Sequence, residues 1–260
     1  MRIVACIKQV PSTNEVRLDP EKHTILRDGR QSVVNPFDAH AVEEAVRLKE
    51  TCGGTVLAIS MGIPAVEELL RDALARGADE AVLLSDRAFA GADTLATSYT
   101  LAAGIRKAGP FDLILCGKMA VDGDTAQIGP ELAEQLGIPH LTEVDAILSV
   151  GEGRVTVSRQ GQQGPETVEA ALPALLTLTR EVNTPRMPTL TGVRRSLTAP
   201  FVCWGADDLK ADRGRCGLEG SPTQVVRTFV PQRERETVFL SGSPERQAEQ
   251  MVKIAGEVLA

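Results

Sequence analysis

Residues 55–84 read TVLAISMGIPAVEELLRDALARGADEAVLL, and the fold follows from them. Thr55 to Met61 is a short apolar run of strand length. Pro64 to Arg76 predicts a helix, with Pro64 near its first turn and Gly77 just past its end. Glu80 to Leu84 is strand-like again. The alternation extends both ways. Upstream, Ile3 to Ile7 reads as a buried strand. Asp38 to Glu50 reads as a helix whose apolar face is Ala41, Val42, Ala45, Val46 and Leu48. Downstream come an alanine- and leucine-rich helix at Asp93 to Lys107, a strand at Asp112 to Cys116, and a helix at Thr125 to Leu136 closed by Gly137 and Pro139. Such alternation implies a mostly parallel sheet covered on both faces, joined by right-handed crossovers. Ligands in these sheets sit at the carboxyl ends of strands near a switch point. Here those ends are the loops after Ile7, Met61 and Cys116.

The middle of the chain changes period. Val144 to Val150, Arg154 to Gln160 and Glu166 to Ala171 alternate as strands, separated by turns at Gly151-Glu152-Gly153 and Gly161 to Gly164. This predicts an antiparallel insertion at about 143–171, followed by one more buried strand at Pro173 to Thr179. From Asn183 the chain loosens, broken by Pro185, Pro188, Pro200, Pro222 and Pro231. A last helix spans Pro244 to Leu259. Residues 183–242 hold too few apolar residues for a core of their own, yet Leu209, Val225, Val226, Phe229, Val230 and Phe239 look like anchors. Two readings stand: an arm lying on another subunit, or a poorly ordered tail. The domain expectation is 1–182 for a nucleotide-binding α/β unit and 183–260 for a partner loop, arm and final helix.

Composition narrows the function. A length of 260 residues fits one large α/β domain, alone or with a tail, and 43% apolar residues fill a sizeable core. A net charge of −7 and 3% aromatic residues argue against nucleic acid as a partner. The five cysteines form no Cys-x-x-Cys pair and suggest a reducing compartment. His23, His40 and His140 show no ligand spacing, so no metal is expected. No apolar run approaches the roughly 20 residues of a membrane span. The sequence opens on a strand without a signal peptide, which points to the cytoplasm.

The most informative loop is Gly117-Lys118-Met119-Ala120-Val121-Asp122-Gly123-Asp124-Thr125-Ala126-Gln127-Ile128-Gly129-Pro130. It follows a buried strand and opens a helix. Gly117 suits a sharp turn, Asp124 or Thr125 suits a helix cap, and the free N–H groups of the first turn suit an anion. Thr125 and Gln127 offer side-chain donors, and Gly123 and Gly129 allow close backbone approach. Asp122 fits ribose hydroxyls or a backbone bond better than phosphate. A plain helix cap with turn glycines explains the same residues equally well. The loop is neither a Walker loop nor Gly-x-Gly-x-x-Gly. A second feature is Asn35-Pro36-Phe37-Asp38, where Asn35 or Asp38 caps a helix and Phe37 packs on a base, or the whole is a simple capping turn.

Taken jointly, these motifs resemble the electron-transfer flavoprotein β-subunit family. The matching pieces are Cys6-Ile7-Lys8-Gln9-Val10-Pro11, Asn35 to Asp38, Ala41 to Lys49, Ala73 to Asp79, Gly117 to Pro130, and Asn183-Thr184-Pro185-Arg186 before Leu190. Their order and spacing run through essentially the whole chain. The resemblance implies an adenine-nucleotide α-hydrolase-like, doubly wound sheet. It implies a nucleotide held by Cys6 and Lys8, Asn35 to Asp38, Met61, and Gly117 to Ile128. The ligand is AMP in the simple branch, and in the bifurcating branch an FAD reduced by NADH. The implied partners are a larger α subunit with its own FAD, an acyl-CoA dehydrogenase whose pocket takes Leu190 from the Pro185 to Ser196 loop, or a quinone reductase, and ferredoxin or flavodoxin. Asp122 to Pro130 and Gly217-Leu218-x-Gly220-Ser221-Pro222-Thr223 resemble the bifurcating type, whose small residue at Gly123 leaves room for FAD.

No nucleophile or paired acid and base is visible, which suits chemistry carried by a flavin. An ATP-pyrophosphatase on the same fold calls for a Ser-Gly-Gly-x-Asp-Ser loop, where this chain has Gln9-Val10-Pro11-Ser12-Thr13-Asn14. A universal-stress-type sensor is shorter and lacks the arm.

Overall fold

The structure, a computed structural model, describes residues 1–12, 32–227 and 237–259. It divides into two units, Met1–Val225 and Val226–Ala260. The first contains β1 (Arg2–Cys6), β2 (Gln9–Pro11), β3 (Ser32–Val34), α1 (Pro36–Cys52), β4 (Thr55–Met61), α2 (Glu67–Arg76), β5 (Glu80–Leu84), α3 (Thr94–Ala108), β6 (Leu113–Gly117), α4 (Ile128–Leu136), β7 (His140–Gly151), β8 (Arg154–Gly161), β9 (Gly164–Ala171), β10 (Ala174–Leu178), α5 (Leu190–Ser196), β11 (Phe201–Trp204) and α6 (Ala206–Leu209).

Among the described residues the main sheet has nine strands in the order β11-β5-β4-β1-β6-β10-β7-β8-β9. Neighbours from β11 through β7 pair in parallel, and β8 and β9 are antiparallel. This is the doubly wound α/β sheet that the alternation predicts. Strand period decides which core each residue joins. Ile3 and Ala5 face α1 and α2, while Val4 and Cys6 face the other side with α3 and α4. Leu113, Ile114 and Leu115 are fully buried because β6 is covered on both faces. The chain builds β4 and β5 on one side of β1, then crosses to β6 on the other. The switch point therefore lies between β1 and β6.

The antiparallel insertion starts at Val144, as its period suggests, but its first strand begins earlier. His140 to Val144 of β7 pair in parallel with β10, then the strand bulges at Glu143 (φ 59°) and continues antiparallel with β8. The segment after Asn183 carries more structure than its prolines suggest. It contains α5, α6 and the edge strand β11, which pairs with β5. β11 has only four residues, with its middle two exposed, so no alternation marks it. The three-residue strands β2 and β3 are equally short signals.

The second unit's described part carries α7 (Pro244–Leu259), where the sequence places it. Phe239, Met251 and Val252 are exposed in this chain, as are Val225 and Val226, while Leu209 packs into the core of the first unit. Phe229, Val230, Pro231, His23, Thr13 and Asn14 lie outside the described residues. Among the described residues no helix is long and apolar enough to cross a membrane.

Candidate functional site

At the switch point the ends of β1 and β6 meet the N-terminus of α1, and two buried side chains join them. Asp38 Oδ2 accepts the Lys8 N–H at 2.8 Å, and its Oδ1 accepts the Gly117 N–H at 3.0 Å. Burial pushes this carboxyl up to about 7, against the Lys8 N–H, the Asn35 side chain and the Gly117 N–H. Asn35 is 1% exposed. Its Nδ2 donates to the Met119 carbonyl at 2.8 Å, and its Oδ1 accepts the Val121 N–H at 3.2 Å. Asn35 stands at the N-cap of α1, as the sequence reading allows, but neither side chain makes a capping hydrogen bond. Pro36 in the first turn has no N–H to satisfy, and both side chains reach across to the loops instead.

Gly117 is needed for closeness rather than for a turn. Its φ is not in the left-handed region, and an added Cβ would lie 2.5 Å from Phe37 Cβ and overlap Asp38. Residues 118–127 then form a loop before α4, so the helix starts later than Thr125 and neither Asp124 nor Thr125 caps it. The Ala120 carbonyl accepts the Gly123 and Asp124 N–H groups at 3.2 and 2.8 Å. Asp124 (φ 56°) and Ala126 (φ 53°) are left-handed, and Gln127 returns to the helical region. Among the described residues, the N–H groups of Thr125, Ala126, Gln127 and Ile128 donate to no protein acceptor. Residues 125–127 are exposed. With the dipole of α4 behind them, they make a cradle of free donors of the kind an anion takes.

Two of the nearby cations are already paired. Lys8 Nζ lies 2.5 Å from Asp122 Oδ1, and Lys118 Nζ lies 2.7 Å from Glu143 Oε2. Asp122 is thus an ion-pair partner, where the sequence suggested ribose hydroxyls or a backbone bond. The free backbone N–H groups, and Arg180 in the adjoining cleft, are what remain to attract an anion. Gly129 admits Thr177 of β10, whose methyl an added Cβ would overlap, while at Gly123 a Cβ would meet only Lys8 Nζ, 4.0 Å away.

Beside the loop opens a cleft of about 820 Å³ whose walls include Phe37, Lys118, Met119, Glu143, Arg180 and Glu181. The Phe37 ring is buried, and the Arg180 guanidinium stands 4.6 Å from its centroid. The face expected to pack on a base is therefore covered by Arg180. Cys6, Cys116 and Met61 sit behind this surface in the core. The Cys6 thiol, burial and the Asp38 charge all push the Cys116 thiol up, so it is no nucleophile. Leu190 lies elsewhere, at the start of α5 on α2, and is 91% exposed.

The family model for the electron transfer flavoprotein domain matches residues 22–208. An electron transfer flavoprotein subunit beta of Thermoanaerobacterium thermosaccharolyticum is 46% identical over 254 residues, covering 97% of each chain. The chain belongs to the electron transfer flavoprotein β-subunit family. The caffeyl-CoA reductase-Etf complex subunit CarD of Acetobacterium woodii is 48% identical over 232 residues, 89% of this chain and 88% of CarD. Protein FixA of Bradyrhizobium diazoefficiens is 42% identical over 259 residues, 97% of this chain and 90% of FixA.

In this family member, sequence reasoning misses the N-terminus of α3 as a neighbour of the loop. The Thr94 hydroxyl lies 3.0 Å from Glu131 Oε1 and 3.4 Å from Gln127 Oε1. Burial raises the Glu131 carboxyl, with Thr94 opposing. Asp93 caps α3 through the Ala96 N–H, and its other oxygen accepts the Thr223 N–H and hydroxyl at 3.0 and 2.7 Å. The Gly217–Thr223 motif is thereby fastened to the N-terminus of α3. Asp93-Thr94 carries a capping signature, but its tertiary partners have no local signal.

Proposed function

We propose that this chain is the FAD-holding β subunit of a bifurcating electron-transfer flavoprotein, working as a cytoplasmic heterodimer with an α subunit. The observation that carries the reading is the free N–H run Thr125–Ile128 beside an open cleft. The cradle takes a pyrophosphate, and the cleft gives room beyond the cradle for the rest of a dinucleotide. Bound FAD supplies reversible two-electron and one-electron transfer. The chain's own residues hold and orient it: Asn35 and Asp38 fix the loops, and Gly123 leaves the loop clear of a side chain. The FAD held here would exchange electrons with NADH and, by way of an α-subunit FAD, with an acyl-CoA dehydrogenase, ferredoxin or flavodoxin being a further partner. CarD's name places that relative in a complex with a caffeyl-CoA reductase, which supports a partner acting on a CoA thioester. Leu190 is the apolar tip that docks the dehydrogenase.

The second reading keeps the heterodimer and puts a structural AMP in the cradle. Nucleotide extraction from the purified heterodimer separates the two. Two FAD per heterodimer, bleached by NADH, is the expected result; one FAD and one AMP overturns the bifurcating assignment. Gly123→Glu should lower FAD content while leaving the fold intact, because the new carboxylate enters the loop beside Lys8.

A further inference from the structure

The loop from Arg186 to Leu197 inverts the usual burial pattern. Its apolar side chains face solvent, with Met187 79% and Leu197 68% exposed beside Leu190. Polar groups anchor its base. Arg186 forks onto two carboxylates of α1: Nε and Nη2 meet Glu43 at 2.9 and 3.1 Å, and Nη1 and Nη2 meet Glu50 at 2.6 and 2.9 Å. Burial would raise Glu43, but Arg186 holds it below its ordinary value. Just upstream, Asn183 donates to the His40 carbonyl and Glu44 Oε2. From α2, Arg76 donates to the Arg186 carbonyl at 2.5 Å and Arg71 to the Ser196 carbonyl at 2.7 Å. Arg195 reaches back to the Leu74 and Ala78 carbonyls at 2.7 and 2.9 Å. Gly192 lies so close to the Ala75 carbonyl that any Cβ would overlap it.

Four guanidinium groups thus fix a loop whose exposed apolar surface stabilises nothing within this chain. We propose that Arg186, Arg195 and Gly192 are positioning residues that preorganise Met187, Leu190 and Leu197 for docking a protein electron partner. The proposal rests on the docking reading given above. The occupant is an apolar pocket with an acidic rim on an acyl-CoA dehydrogenase. Exposed Arg194, in no ion pair among the described residues, supplies the complementary charge. A loop already fixed loses little conformational entropy on docking, so affinity rises through slower dissociation.

The test uses the whole heterodimer and titrates an acyl-CoA dehydrogenase in steady-state electron transfer. A small dye acceptor and amide hydrogen exchange over 187–197 serve as parallel readouts. Arg186→Lys keeps the charge and loses the fork; Gly192→Ala displaces the loop without touching a charge. Each should raise KM for the dehydrogenase about tenfold with kcat within about twofold, and speed exchange at 187–197. Dye reduction and nucleotide content should not change. Leu190→Ala should raise the same KM without altering exchange. The positioning proposal is overturned if Leu190→Ala moves KM while the two anchor variants leave it in place, or if exchange at 187–197 is not faster in them. The docking reading itself is overturned if Leu190→Ala leaves KM unchanged.

Discussion

Two loops hang on one helix and present opposite surfaces. The 117–128 loop is held by Asn35 and Asp38 at the N-terminus of α1, and it turns unpaired backbone N–H groups outward. The 186–197 loop is held by Glu43 and Glu50 from later turns of the same helix, and it turns apolar side chains outward. Backbone dipoles act on an anion at short range and need no cation beside them. An apolar display acts only on a complementary protein surface that excludes water. In both cases the polar side chains of α1 are spent on neighbouring loops. The helix is a frame, and the loops carry what is displayed.

The comparison is broken most forcefully at the first anchor. Asp38→Ala leaves the Lys8 and Gly117 N–H groups without acceptors, at about 1–3 kcal/mol each. Asn35→Ala similarly frees the Met119 carbonyl and the Val121 N–H. Denaturant unfolding should show losses of a few kcal/mol in each, and the heterodimer should come off the column with its β-site nucleotide depleted. Hydrogen exchange over 187–197 should stay as in the parent. If that loop loosens as well, the two anchors are not separate.

Asp38 also predicts a pH dependence of the first loop. Its folded carboxyl titrates near 7 and its ordinary value is 3.8, so the native state keeps a proton that the unfolded state has lost. Its contribution to stability is full below about pH 4, falls as pH rises toward 7, and is flat above that. A tenfold change in proton affinity is worth about 1.4 kcal/mol, which bounds the whole effect at about 4 kcal/mol. Glu43 and Asp93, held low, act with the opposite sign and lose their contribution as pH falls. The difference between parent and Asp38→Ala unfolding curves isolates Asp38: it should shrink between pH 4 and 7. A difference that grows over that range contradicts the burial argument.

Much of this was legible in the sequence because the decisive signals are local. The strand–helix alternation from Thr55 to Leu84 gives the parallel sheet, and the loop after Cys116 is where the free N–H groups lie. What was not legible is tertiary. Asn35 and Asp38 look like helix caps because caps and cross-loop staples use the same short polar side chains. Only the fold decides which acceptor and donor they meet. Gly117 looks like a turn glycine, and the helix that crowds it is about eighty residues away in sequence. The α5 stripe escaped because its apolar residues face out, so periodicity pointed away from a core. Arg180 over Phe37 leaves no local pattern at all.

Gly117→Ala tests that crowding at an intermediate scale. The methyl must displace Phe37 and Asp38, at about 1–3 kcal/mol for overpacking. The same substitution at Gly123, where a Cβ meets only Lys8 Nζ at 4.0 Å, should change stability by less than about 0.5 kcal/mol. Equal losses at both glycines would mean that α1 does not press on the end of β6.

The smallest expected effect is the most discriminating for the first loop. Lys8→Met removes the cation that faces Gly123, but that cation is half-exposed and already paired with Asp122. Such a pair contributes about 0–1 kcal/mol and is screened by salt. If the backbone N–H groups of Thr125 to Ile128 do the binding, the variant should hold its nucleotide within about threefold of the parent by equilibrium dialysis, at low and high salt alike. An emptied site at low salt would show that Lys8 exchanges Asp122 for the phosphate when ligand binds. The first loop would then recognise its anion through a side chain, and its contrast with the arginine-anchored loop would rest on geometry alone.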